Sequence, residues 1–393
     1  MKYIFKKKRY VFFVFLIDLI GTIVFLPFRI FKKRNPGNVG NILIIRLDDI
    51  EDVIFSTTIP ENLKAHYRGA KITFLVGNPA RGIVIDNPYV DEVICYDAPW
   101  FSKNGKRIFE FKRFFKLADE LKRHNYDLGI DLKGDFRHIV LMALARVKFR
   151  AGYGVTGGGF LLHRRVNYRE ATHLIEHNLD LLRDMSIDII ENRPKIYVSK
   201  ENEESASSII SENDLGKNDF ITIMHTTANY KSKNWLDYRF AELAGIISKE
   251  YGAKIILVGS EDDKDKNDRI VSLSGIKVIN ASAKTSLPVL TALIKKASLF
   301  IGVDSGPAHI AALEDVPSVI LCSGTNNSDQ WSNIGSKVIR IQKDIPCKGC
   351  ERIDCEQNIC MDLISVYDVL EAVDGLVRSS RKSLNSISSM DLK

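Results

Sequence analysis

The sequence predicts an α/β protein made of two successive doubly wound, Rossmann-like parallel sheets, preceded by an apolar N-terminal helix. Three observations predict it. Short apolar runs alternate with helical patterns from residue 41 to about residue 200. The alternation restarts at Phe220, after a polar stretch over 201–218. Within the runs the apolar residues are continuous, as in strands buried on both faces of a parallel sheet. Strand and helix alternating at this spacing build doubly wound sheets, and 393 residues suffice for two such cores.

The apolar segment comes first. Residues 1–34 hold nine Lys or Arg and one acid, Asp18, and so carry +8 of a net charge of +7. The other 359 residues therefore sum to about −1. A basic head on a neutral body argues for a membrane surface and against a nucleic-acid-binding domain. Tyr10 to Phe28 is apolar apart from Asp18, Gly21 and Thr22. Its roughly 19 residues would reach about 28 Å as a helix, near the thickness of a bilayer core. Residues 1–34 are thus expected to anchor the chain to a membrane, lying in the leaflet or spanning it.

After a linker over 35–40, the first domain occupies 41–200. Its strands are expected at Asn41–Leu47, Lys71–Val76, Glu92–Cys95 and Asp127–Leu132. Helices are expected at Val53–Tyr67, Asn78–Ile85, Phe111–His124 and His173–Leu182. Arg150–Arg165 reads as a glycine-rich loop whose His163, Arg164 and Arg165 either meet an anionic acceptor or are simply solvated.

The second domain is expected over 218–378, with strands at Phe220–His225, Lys254–Gly259, Val278–Ala281, Leu299–Val303 and Pro317–Leu321. Helices are read at Tyr238–Glu250, Leu287–Lys296, Ala308–Leu313 and Ser365–Val377. The polar, Ser-rich 379–393 reads as a disordered tail. The turn Asp304-Ser305-Gly306-Pro307 lies where a strand's carboxyl end meets a helix start. Open parallel sheets bind ligands at that edge. Asp304 or Ser305 can cap the helix, Pro307 suits its first turn, and free N–H groups there suit a phosphate. His309, one turn on, can donate to a phosphate or ribose oxygen. One of Glu261, Asp262 and Asp263, with Glu261 the first choice, can hold ribose hydroxyls at the end of another strand.

Cys347, Cys350, Cys355 and Cys360 fall within 14 residues. That density fits a structural zinc or reduced thiols in a stabilised loop.

Asp304-Ser305-Gly306-x-x-His309 resembles the D-[ST]-G-x-x-H signature of glycosyltransferase family 9, whose best-known members are lipopolysaccharide heptosyltransferases. Arg46-Leu47-Asp48-Asp49-Ile50-Glu51-Asp52-Val53 resembles that family's R-L-G-D-I-G-D-V turn, with acids at Asp48 and Glu51 where the family has glycine. Thr226-Thr227 followed by Lys233-x-Trp235 resembles its phosphate loop, with Lys231 a near alternative to Lys233. The resemblance runs from about Asn41 to Val377. It implies the GT-B arrangement, two Rossmann-like domains facing across a cleft, and inverting transfer of a sugar from a nucleotide-sugar, commonly ADP-heptose. The acceptor would be a hydroxyl of a lipopolysaccharide-type or other lipid-linked glycan, at the cytoplasmic face of a bacterial inner membrane. Asp52 would be the general base. Thr226, Thr227, Lys233, Glu261, Asp304, Ser305, Gly306 and His309 would bind the donor, and Arg164 and Arg165 would serve the acceptor. No cofactor is required if Lys233 and the helix start carry the leaving diphosphate. Four acids among Asp48–Asp52 are expected to repel one another and an incoming phosphate. A non-catalytic nucleotide-sugar-binding scaffold and a nucleotide-sugar epimerase are the alternative readings.

Overall fold

The computed structural model describes residues 3, 8–29, 35–101, 110–170, 172–325, 332 and 334–388. The chain divides into two units, Met1–Tyr197 and Val198–Lys393.

The first unit holds α1 (Lys8–Arg29), β1 (Asn41–Arg46), α2 (Ile50–Ser56), α3 (Thr58–His66), β2 (Lys71–Val76), α4 (Arg81–Val84), β3 (Glu92–Cys95), α5 (Phe111–Arg123), β4 (Leu128–Asp131), α6 (Phe136–Leu144), β5 (Phe149–Gly152), β6 (Arg164–Arg165) and α7 (Leu174–Asp184). Its six strands are all parallel, in the order β3-β2-β1-β4-β5-β6. Ile42 to Ile45 of the central strand are completely buried. One face of this sheet is covered by α5 and α6, through Phe114, Leu117, Leu121, Ile139 and Met142.

The second unit holds α8 (Lys200–Ser211), β7 (Ile221–His225), α9 (Asp237–Tyr251), β8 (Lys254–Val258), α10 (Lys264–Ser274), β9 (Val278–Asn280), α11 (Leu287–Lys295), β10 (Leu299–Val303), α12 (Gly306–Leu313), β11 (Ser318–Leu321), β12 (Val338–Ile341), α13 (Ile359–Asp362) and α14 (Val366–Ser388). Its parallel sheet runs β12-β11-β10-β7-β8-β9. Numbered from its own first strand, that is the order of the first unit. Trp235, Phe240, Leu243 and Ile247 pack over it with Val369 and Val373.

Several expectations shift. The helix read over Val53–Tyr67 is two helices. Pro60 sits at the third position of α3, where it lacks an N–H and its ring meets the carbonyl four residues back, so the ladder breaks at Thr57. Arg150–Arg165 is not one loop, because its start belongs to β5, Gly152 included, and its end to β6. The polar 201–218, part of which could be helical, is helical as far as Ser211 in α8, which packs in the second unit against α11. The last helix continues to Ser388, past the point where the tail was expected to lose structure. Once a helix has formed, each added residue costs little, and Arg381, Lys382 and Leu384 favour the helical state. Residues 389–393 lie outside the described residues.

Candidate functional site

Both sheets reverse strand order beside their first strand, and open α/β sheets bind ligands outside the carboxyl ends of the strands at that switch. In the first unit this point lies between β1 and β4, with Ile45 opposite Asp131. The chain leaving β1 carries Asp48 and then Asp52 in the first turn of α2, where the helix dipole favours carboxylates. Arg46 gathers them. Its Nε lies 3.0 Å from Asp48, its Nη2 3.2 Å from Asp52 and its Nη1 2.7 Å from the Leu132 carbonyl it donates to. Lys133 pairs with Asp48 from the far side. Burial opposes the charge on Arg46, but Asp48, Asp52 and Asp131 outweigh it and hold the guanidinium protonated. Burial pushes the Asp48 carboxyl up, against the pull of Arg46 and Lys133. The expected repulsion among the acids is therefore met by two cations. Asp52 keeps its side chain 15% exposed, whereas that of Asp48 is 3% exposed. Asp52 is thus the better placed of the two to meet a ligand. Behind them Asp131 and His138 form a fully buried pair at 2.9 Å.

In the second unit the switch lies between β7 and β10, where His225 stands opposite Gly302. A Cβ at Gly302 would come within 2.9 Å of the His225 carbonyl, so the close approach needs glycine. Lys233, nine-tenths buried, pairs with Asp304 at 3.0 Å. His309 Nε2 lies 3.8 Å from the other carboxylate oxygen. Burial would raise the Asp304 carboxyl, yet Lys233, His309 and Arg340 pull it below the usual range. Arg340 Nη1 is buried with no hydrogen-bond partner among the described residues. Ser305 occupies the N-cap position of α12, but its side chain does not cap the helix as expected. Its Oγ instead donates to the Val303 carbonyl and lies 3.0 Å from His225 Nδ1. Burial lowers His225 to about 4, so the ring is neutral at pH 7. Pro307 has no N–H, and the amides of Ala308 and His309 both reach Ser305 O. The amide of Gly306, first in the helix, has no intrahelical acceptor by position.

The other predicted residues fall as follows. Thr226 donates to Asn267 at 2.7 Å, and Thr227 hydrogen-bonds Asp263. Among Glu261, Asp262 and Asp263, it is Asp263 that turns toward β7, while Glu261 is exposed. Lys231 is 81% exposed, which leaves Lys233 as the lysine of the site. Arg164 is spent on Asp184, and Arg165 donates to the Tyr153 and Gly154 carbonyls at 3.3 Å. Cys347 is exposed and Cys360 buried. Among the described residues no group of three or more His, Cys, Asp or Glu is placed to hold a metal ion. Ser323 and Thr325, just after β11, hydrogen-bond each other at 2.7 Å. Asn326, Asp329, Gln330 and Trp331 lie outside the described residues. The roles of Arg46, His225 and Arg340 were missed. A basic residue or histidine closing an apolar strand was the signal for the first two.

Comparison with known proteins bears on the fold and the family. The sequence model of "Glycosyltransferase family 9 (heptosyltransferase)" matches residues 114–360. The chain is 29% identical over 336 residues to lipopolysaccharide heptosyltransferase 3 of Escherichia coli K12, covering 83% of this chain and 95% of that one. Among solved structures, a family 9 glycosyltransferase from Veillonella parvula superposes with a TM-score of 0.73 at 21% identity, over 88% of this chain and all of that one. The E. coli ADP-heptose lipopolysaccharide heptosyltransferase II gives 0.70 at 21% identity, over 87% and 99%. The two sheets therefore have the architecture of the heptosyltransferase structures, and the chain belongs to glycosyltransferase family 9.

Proposed function

We propose that this glycosyltransferase moves heptose from ADP-heptose to a hydroxyl of a lipopolysaccharide-type acceptor, with inversion at the anomeric carbon. The curated relative named above is a lipopolysaccharide heptosyltransferase, and a structural relative is named for ADP-heptose. The observation that carries the reading is the Lys233–Asp304–His309 cluster at the start of α12. There Lys233 and Arg340 leave a net positive charge after Asp304 is counted, which suits a departing diphosphate. Asp304 fixes Lys233, and His309 and the Gly306 amide add donors. Ser305 orders the turn through His225, while Thr226 and Thr227 order the loop after β7. Asp263, rather than Glu261, is the carboxylate suited to the ribose.

Asp52 is the proposed base. It takes the acceptor's proton as that oxygen bonds to the anomeric carbon and the bond to the diphosphate breaks. Charge neutralisation by side chains lets the reaction run with no cofactor. Arg165 is the better acceptor-side candidate, since Arg164 is already paired. We infer that the acceptor is lipid-linked and that the protein works at the cytoplasmic face of a bacterial inner membrane.

The test is thermal shift with ADP, followed by transfer assays. ADP should stabilise the full chain and fail to stabilise His309→Ala and Lys233→Ala. Asp52→Asn should keep the ADP shift and lose roughly 10²–10⁴-fold in transfer rate. No ADP shift in the unaltered chain, or full transfer by Asp52→Asn, would overturn the assignment.

A further inference from the structure

The N-terminal helix is seated on the first unit along one face. Asp18, 1% exposed, accepts a hydrogen bond from the Gly158 amide at 2.7 Å and another from the Tyr3 hydroxyl at 2.8 Å. The seat is close on both sides. A Cβ at Gly21 would come within 2.6 Å of the Phe160 ring, and one at Gly157 within 2.7 Å of Val14. Gly157 and Gly158 also hold left-handed backbone, at φ +105° and +78°. Phe25, further along the helix, meets Phe160 with the rings tilted at 39° and their centroids 5.5 Å apart.

The opposite face is bare. Phe12, Phe13, Ile17, Ile20, Ile23 and Val24 are each more than half exposed. A helix apolar on all sides belongs in a core or a membrane, and water-soluble surfaces seldom keep so large an apolar patch. The charge pattern selects the occupant. Residues 1–34 carry nine cations, and their single acid is turned inward. Among the described residues no helix is long and apolar enough to cross a membrane.

We propose that the outer face of α1 lies in the plane of an anionic phospholipid bilayer, as an in-plane anchor locked to the first unit by Asp18. The lock joins the membrane surface to the glycine-rich turn at 154–159, beneath which Arg165 donates to the Gly154 carbonyl. The proposal rests on the reading of the acceptor as lipid-linked.

The experiment is sedimentation of the full chain with sealed phosphatidylglycerol–phosphatidylethanolamine vesicles, with phosphatidylcholine vesicles as comparison. Binding should favour the anionic vesicles by at least tenfold and fall at least tenfold in the double variant Ile20→Glu/Ile23→Glu. Trypsin added outside should cut the bound chain within Lys2–Arg9, because an in-plane helix keeps both ends on one side. Asp18→Leu removes the lock and should shift part of the bound chain to a trypsin-protected form. Equal binding to both vesicle types, protection of the unaltered chain, or a dimer that ignores vesicles would each overturn the proposal. Unchanged accessibility of Asp18→Leu would overturn the lock. The ADP shift of the same samples separates the readings. Vesicle binding lost with that shift kept defeats the anchor alone, and the reverse defeats the donor site alone.

Discussion

Arg46 is the residue on which the acidic turn depends. It is buried, and two carboxylates and a carbonyl converge on its guanidinium. Removing one partner of a buried pair strands the others, at a cost of about 3–5 kcal/mol. Arg46→Met should therefore lower stability by about that much in urea unfolding, more than Lys133→Met, whose side chain is 29% exposed. His225 makes a different prediction. Its folded value of about 4 lies below an ordinary histidine, through burial. Well above pH 6.5 the ring is neutral in both states and contributes no pH dependence. As pH falls from about 6.5 toward 4, the unfolded chain takes up a proton that the folded ring refuses, and stability is lost. By pH 5 the loss is about 2 kcal/mol, read as the extra drop of the unaltered chain relative to His225→Asn between pH 7 and 5. At this scale the sequence carried Asp304, Ser305 and Lys233, because they sit inside short motifs. It did not carry the pairing of Arg46 with Asp48, or of His225 with Ser305. Those pairings follow from register and side-chain reach, which no local window contains.

Among the elements, α6 is the instructive omission. Its start is well specified. Asp135 is the N-cap, is 2% exposed, and accepts from the Arg137 amide at 2.9 Å. Arg137 then pairs with the same carboxylate and lies over the Trp100 ring at 4.4 Å. Burial would raise the Asp135 carboxyl, but Arg137 and His138 hold it far below the usual range. Asp135→Ala should cost about 1–2 kcal/mol as a lost cap, measurable by urea unfolding at pH 7. The helix was illegible because the three residues between β4 and the cap merge both into one apparent strand–loop run. Its end is hidden too, since Arg146 takes the left-handed stop at φ +55° where glycine would have flagged it. α10 escaped for another reason: Lys264, Asp265, Lys266, Asp268 and Arg269 mask a narrow buried stripe of Asn267 and Ile270. Elements marked by continuous apolar runs, such as β2, β3 and β10, matched their expected limits to the residue.

For the whole molecule, the two-sheet plan was legible from the restart of the alternation at residue 220, and the shared strand order was not. Sequence fixes which runs are strands far better than which strands are neighbours. Each unit buries its own core, so calorimetry should resolve two transitions. ADP at about one hundred times its dissociation constant should add about 2.7 kcal/mol to one of them, the second unit's. A shift of both by equal amounts would mean that the units unfold as one. The hydrogen bond between Asp18 and Gly158 also has a consequence in time. Its partners stand 140 residues apart. Ribosomes add about 5–20 residues each second, so the apolar segment leaves the ribosome roughly 7–30 s before its seat has been made. Through that interval the nascent chain carries its most water-averse stretch uncovered, and whatever meets it first, bilayer or chaperone, acts before the body of the enzyme exists.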